Sequence, residues 1–197
     1  MPVFFGAMWA VMNGGFLLYS ANAVAHSALI GTDSIAAYGN QPGSDIYSVQ
    51  RMAAAGLDTT ALVTVTEIDV EELKDSAAGG YVESNGNPVI QTGCSGAGGA
   101  FLGTGDCVDR YTFSGPASSV TVKALDGTCA STVDISQCPP WAPESRSVTD
   151  DASGDSPQGI GTSYAALVVH YHFAFFGAPA GGLSLTSTST FRLEPQT

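Results

Sequence analysis

Between Met1 and Thr32 the chain has no aspartate, glutamate, lysine or arginine, and the first charged side chain is Asp33. A soluble surface helix seldom runs so long without charge, because its outward face needs polar groups. Basic residues are scarce throughout. Six Lys and Arg stand against 18 Asp and Glu, a net charge of -12 that opposes binding to nucleic acid or anionic lipid headgroups. Partners are therefore expected to be proteins, surfaces or cations. No CxxC pair occurs and no histidine stands at zinc-ligand spacing from a cysteine, so a cysteine-held structural zinc is not expected. Charged residues make up only 12% while Gly numbers 24, a balance that favours turns over salt-bridged helices.

What the first third does have is apolar. The 197 residues allow one moderate domain plus an anchor. The first half of PVFFGAMWAVMNGGFLLYSANAVAHSALIG is a run of about 18 apolar residues, near the minimum for a helix that spans a bilayer core. It reads as a membrane anchor, with residues 3–30 in contact with lipid. Two other readings stay open: a secretory signal cleaved after Ala23-Val24-Ala25, and a buried soluble helix. The run lacks the Lys/Arg stretch of a signal, which favours the anchor. Asn13, Gly14 and Gly15 interrupt it, marking either helix packing and kinking in the membrane or simple dilution of a marginal anchor. The helical pattern continues through SANAVAHSALIGTDSIAAYG until Gly39-Asn40 and Pro42 stop it. Residues 1–40 are thus expected to form an anchor and stalk, and 41–197 a head.

Cys94, Cys107, Cys129 and Cys138 all follow the anchor. Disulfides in an oxidising compartment are the expectation, which puts the N-terminus in the cytoplasm and the body outside. Of the three possible pairings the sequential one, Cys94 with Cys107 and Cys129 with Cys138, closes two short loops.

Along the head, Ser44-Asp45 supplies an N-cap and an acidic first turn. Ile46, Val49, Met52 and Ala53 give a second helix its apolar face, and Gly56 its stop. LVTVTEIDV (62–70) alternates like a strand. The Gly-rich stretch 75–109 and the stretch 128–161 are expected to be disulfide-stapled excursions, with a strand at 118–125 between them. YAALVVHYHFAFF (164–176) and SLTSTSTFRLEP (184–195) alternate with period two and flank GAPAGG, a hairpin. A turn centred near Pro179 and Ala180 sets Phe175 opposite Leu185, Tyr171 opposite Ser189 and Val169 opposite Phe191.

Candidate chemistry is sparse. His170 and His172 share a strand face, but no Cys, Asp or Glu near them in sequence completes a ligand set, so no metal site is expected there. His26, on the helix, could ligate haem iron or a pigment but is expected to be interfacial and hydrogen-bonded. Asp150, Asp151 and Asp155 lack the Gly and Glu of a calcium loop. GCSGAGGAFLGTG lacks the strand, helix and Lys of a phosphate loop. No catalytic constellation stands out, so neither an enzyme nor a cofactor is expected.

Three segments carry a family likeness. MPVFFGAMWAVMNGGFLLYSANAVAHSALIGTDSIAAYG, with its step Leu17-Leu18-Tyr19-Ser20, is the first; GLDTTALVTVT is the second; VVHYHFAFFGAPAGGLSLTSTSTFRLEP is the third. Together the chain resembles TadE/TadG-type proteins, the pseudopilin-like minor components of Tad (Flp-type) pili. Asn13 and Phe16 stand where that family's anchor often carries Glu and Arg. The resemblance implies an α+β, pilin-like fold: a long N-terminal transmembrane and stalk helix packed on a small antiparallel sheet with disulfide-stapled loops. It also implies a non-enzymatic subunit of a bacterial cytoplasmic membrane, single-pass, with an extracytoplasmic head and with pilins or pilus assembly proteins as partners. A single-span accessory subunit of another large membrane complex is the alternative, and a secreted enzyme or sugar-binding domain a more distant one.

Overall fold

The computed structural model describes residues 2–39, 41, 43–57, 62–76, 80–92, 107–112, 146, 164–177 and 181–193. Two helices, α1 (Pro2–Tyr38) and α2 (Ser44–Ala54), precede six strands: β1 (Val63–Glu72), β2 (Glu83–Ser84), β3 (Asn87–Pro88), β4 (Val108–Thr112), β5 (Tyr164–Ala174) and β6 (Gly182–Arg192). Four of them form one antiparallel sheet in the order β4-β1-β5-β6, and β2 pairs with β3 in a small separate hairpin. This is an α+β architecture, with both helices on one face of the main sheet. The cysteines Cys94, Cys129 and Cys138, the 118–125 segment and the Asp150, Asp151 and Asp155 cluster lie outside the described residues.

The helix α1 is unbroken from Pro2, a residue suited to a first helical position, through Asn13, Gly14 and Gly15. Its head-facing positions follow a 3-4 spacing: Asn13, Leu17, Ser20, Val24, Ala28, Gly31 and Ile35. From Ser20 onward one side of the helix is core, because Val24, Ala28 and Ile35 pack among Val49, Met52 and the sheet residues Leu167 and Val169. Gly31 is the closest approach. A Cβ there would lie 2.5 Å from Met52 Sδ and 2.7 Å from Leu167 Cδ2, and its carbonyl accepts a bond from the Ser48 hydroxyl at 3.0 Å.

The helix α2 starts differently from expectation. Gly43, in the left-handed region at φ 77°, holds the N-cap position, and Ser44 and Asp45 are buried inside the first turn. The Ser44 hydroxyl is 3.4 Å from the Gly39 carbonyl, tying the turn to the end of α1. At the other end Gly56, at φ 103°, closes the helix as expected. Its N–H bonds Ala53 and the Leu57 N–H bonds Met52, the paired bonds of a Schellman stop, and Leu57 and Met52 are both buried.

In the sheet, β1 matches β5 through Val65↔Tyr171 and Glu67↔His170, so Thr66 is an extra residue, a β-bulge. The bulge changes the phase of the strand. Val63 and Val65 before it, and Ile68 and Val70 after it, all reach the core beneath the helices. The β5–β6 register differs from that expected: Tyr171 faces Leu185, Val169 faces Ser187 and Ala165 faces Phe191. The ladder ends at Ala174↔Gly182, the Phe175 N–H still bonds the Gly181 carbonyl, and the Phe176 N–H turns to Asn13 on α1. The expected alternation of β6 holds, with Leu185, Ser187, Ser189 and Phe191 half-buried and their neighbours exposed. None of β2, β3 and β4 was expected. β4 lies within what reads as loop in the sequence, and it carries Asp109 and Tyr111 into the core beside Val70 and Ile68. Cys107, fully buried just before it, is disulfide-bonded, its partner being outside the described residues.

Candidate functional site: an uncovered apolar helix and its polar ties

Every residue from Pro2 to Met12 is exposed, a length of ~16 Å at 1.5 Å per residue. Val3, Phe4, Phe5, Met8, Trp9, Val11 and Met12 make this end apolar on all sides, and Phe16, Leu18 and Tyr19 continue it along the outer side. The helix as a whole is long and apolar enough to cross a membrane. Within residues 3–30, Ser20, Val24, Ser27 and Ala28 are buried against the head. His26 is exposed on the outer side of the helix.

Two side chains tie this apolar segment to the hairpin. The Trp9 indole N–H donates to the Phe176 carbonyl at 2.8 Å, and the Phe176 N–H donates to Asn13 Oδ1 at 2.7 Å. The Asn13 amide in turn donates to the Trp9 carbonyl at 3.0 Å. Both backbone groups of Phe176 are thereby satisfied where the β-ladder has ended, which an apolar setting demands. The Trp9 and Phe175 rings, with centroids 6.1 Å apart, cover the tie. The structure thus separates the three residues expected to pack in the membrane. Asn13 is buried against the hairpin, whereas Gly14 and Gly15 are exposed and a Cβ on either would meet nothing within 4 Å.

A second polar tie is wholly buried. Arg146 forms a bidentate pair with Asp45, Nη1 to Oδ1 at 2.6 Å and Nη2 to Oδ2 at 2.7 Å, and its Nη2 also reaches Asp109 Oδ2 at 2.9 Å. The Tyr111 hydroxyl donates to Asp45. Burial alone would lower the Arg146 pKa, but the charges of Asp45 and Asp109 outweigh it and raise the value, holding the guanidinium charged. Burial, then the charges of Asp45 and Asp109, push the Tyr111 hydroxyl well above its ordinary value. One Arg between two carboxylates leaves a net negative charge, which the first turn of α2 offsets at Asp45. The cluster joins α2, β4 and the segment that carries Arg146, and it is sealed from solvent. Its chemistry is that of a structural clamp. Asp45 reads in the sequence as an ordinary first-turn acid beside Ser44, with no local signal of its distant partners.

His170 and His172 do share a face, on the side of the sheet away from the helices. Their β6 neighbours are Thr186 and Ser184. The expectation that no acidic residue is near is corrected, because β1 brings Glu67 and Asp69 beside His170. Strand pairing across roughly a hundred residues made that juxtaposition invisible in the sequence.

No known family model matches the chain, and no curated protein or solved structure matches it.

Proposed function

We propose that the protein is a non-enzymatic, pilin-like structural subunit of a Tad-type pilus, held in the bacterial cytoplasmic membrane by the N-terminal part of α1 with its head outside. The observation that carries this reading is the division of one apolar helix into two halves. The second half is core to its own head, while the first has its large apolar residues in the open. An apolar surface of that size calls for lipid or neighbouring helices. In an assembly, Gly14 and Gly15 would let another helix approach closely, as small residues do in membranes. The buried disulfide at Cys107 supports an extracytoplasmic head, and its pairing with Cys94, closing the loop that leads into β4, follows from the same reading.

The ~16 Å of helix exposed on all sides is about half of a ~30 Å hydrocarbon core. That shortness favours a second reading, a structural subunit of another large membrane complex whose neighbours cover the rest. Site-specific photo-crosslinking from positions 5 and 16 in native membranes separates the two. Crosslinks to pilins or pilus platform proteins are expected. Crosslinks in fixed stoichiometry to an unrelated integral-membrane complex would replace the pilus reading with the second, and recovery as a soluble, uncrosslinked monomer would sink both.

A further inference from the structure

On the sheet face opposite the helices, Glu67, Asp69 and His170 each offer one ligand atom, and all three atoms lie within 4.8 Å of one another. The Thr66 bulge produces this arrangement. It sets Glu67 directly across from His170, with Asp69 two residues further along the same side of β1. Asp69 Oδ2 and His170 Nε2 are 3.6 Å apart, too long for a hydrogen bond between them. It is close to the ~3.4 Å that separates two donors when bonds of ~2.1 Å meet a shared ion at the tetrahedral angle.

The imidazole is also oriented from behind. Its Nδ1 is 3.3 Å from the Thr186 hydroxyl on β6. With Nδ1–H donating to that oxygen, the Nε2 lone pair points at the two carboxylates, the arrangement in which metal-ligating histidines are held. Asp69 is buried while the His170 side chain is 38% exposed, so the carboxylate is fixed and the ring remains open to an incoming ion. A mixed nitrogen and carboxylate set suits a divalent transition ion such as zinc better than magnesium or calcium, which prefer all-oxygen shells.

We propose that Glu67, Asp69 and His170 form a binding site for a divalent transition metal of the zinc class, with three protein ligands and an open position toward solvent. The ion would join two carboxylates and the imidazole and fasten β1 to β5 on the face opposite the helices. The test is calorimetric titration of chelator-stripped, full-length protein in detergent with zinc chloride, the folding of each variant being checked by circular dichroism. One ion per chain is expected, with binding weakened at least ~10-fold by Glu67→Gln and by His170→Gln, roughly 10-fold by Thr186→Val, and unchanged by His172→Gln. Absence of binding at millimolar zinc overturns the proposal, as does binding that Glu67→Gln and His170→Gln both leave intact.

Discussion

Arg146 and Asp45 meet through two parallel hydrogen bonds of 2.6 and 2.7 Å in an interior that excludes water. Removing either partner strands a charge. Asp45→Ala or Arg146→Met is therefore expected to cost ~3–5 kcal/mol of unfolding free energy in denaturant titration. Replacing Asp45, Asp109 and Arg146 together with apolar residues of similar volume is expected to cost far less, because the desolvation penalty goes with them.

The same cluster sets a limit at alkaline pH. The folded-state pKa of Tyr111 lies above its ordinary value of 10.0, so the unfolded chain loses this proton first as pH rises. The contribution is fully present below pH ~10 and is lost as pH climbs from there toward the raised folded value. Tyr111→Phe is expected to flatten the pH dependence of the melting temperature in that window while leaving its acid side unchanged.

Asn13→Ala removes the acceptor of the Phe176 N–H and the donor to the Trp9 carbonyl. Local opening of the hairpin tip is expected to become easier by ~1–2 kcal/mol, read as faster amide exchange at Phe176. Exchange in the middle of β5 is expected to stay as it was.

Two glycine substitutions in one helix are expected to have opposite signs. Gly31→Ala pushes a methyl into Met52 and Leu167 and is expected to destabilise by ~1–3 kcal/mol. Gly14→Ala meets open space and gains helix propensity, so in detergent-solubilised monomer it is expected to stabilise by ~0.5–1 kcal/mol. If helices of an assembly pack on that surface, the same alanine will weaken the assembly.

Local patterns were readable from sequence where one face alternated with another. The helix α1 up to its stop near Gly39, the Gly56 stop and the period-two pattern of β6 each follow from neighbours within a few residues. Features that depend on distant partners were not. The bulge at Thr66 keeps valines inward only by breaking alternation, and β4 is too short and polar to announce itself inside a Gly-rich stretch. The turn Asn85-Gly86, with both residues at positive φ, is a local hairpin signal inside the stretch 75–109. Asp45, Asp109 and Arg146 come from three separated segments, and only the fold shows that they share one interior. The β5–β6 register differs from the expected one by four residues, and the bond that ties Phe176 to Asn13, more than 160 positions away, lies outside any local pattern.

That last separation has a consequence for biosynthesis. Trp9 and Asn13 find their partners at Phe176, so the helix is translated long before the strands that cover its inner side. At ~5–20 residues per second, the ribosome needs roughly 6–25 s to travel from Tyr38 to Tyr164. Throughout that interval the apolar end of α1 from Pro2 to Met12 lacks the hairpin that later ties Trp9 and Asn13, while α2 is already available to the second half of the helix. Under the membrane reading proposed above, a bilayer entered as the ribosome works would cover that apolar end. The hairpin would then fold back onto a helix already in place.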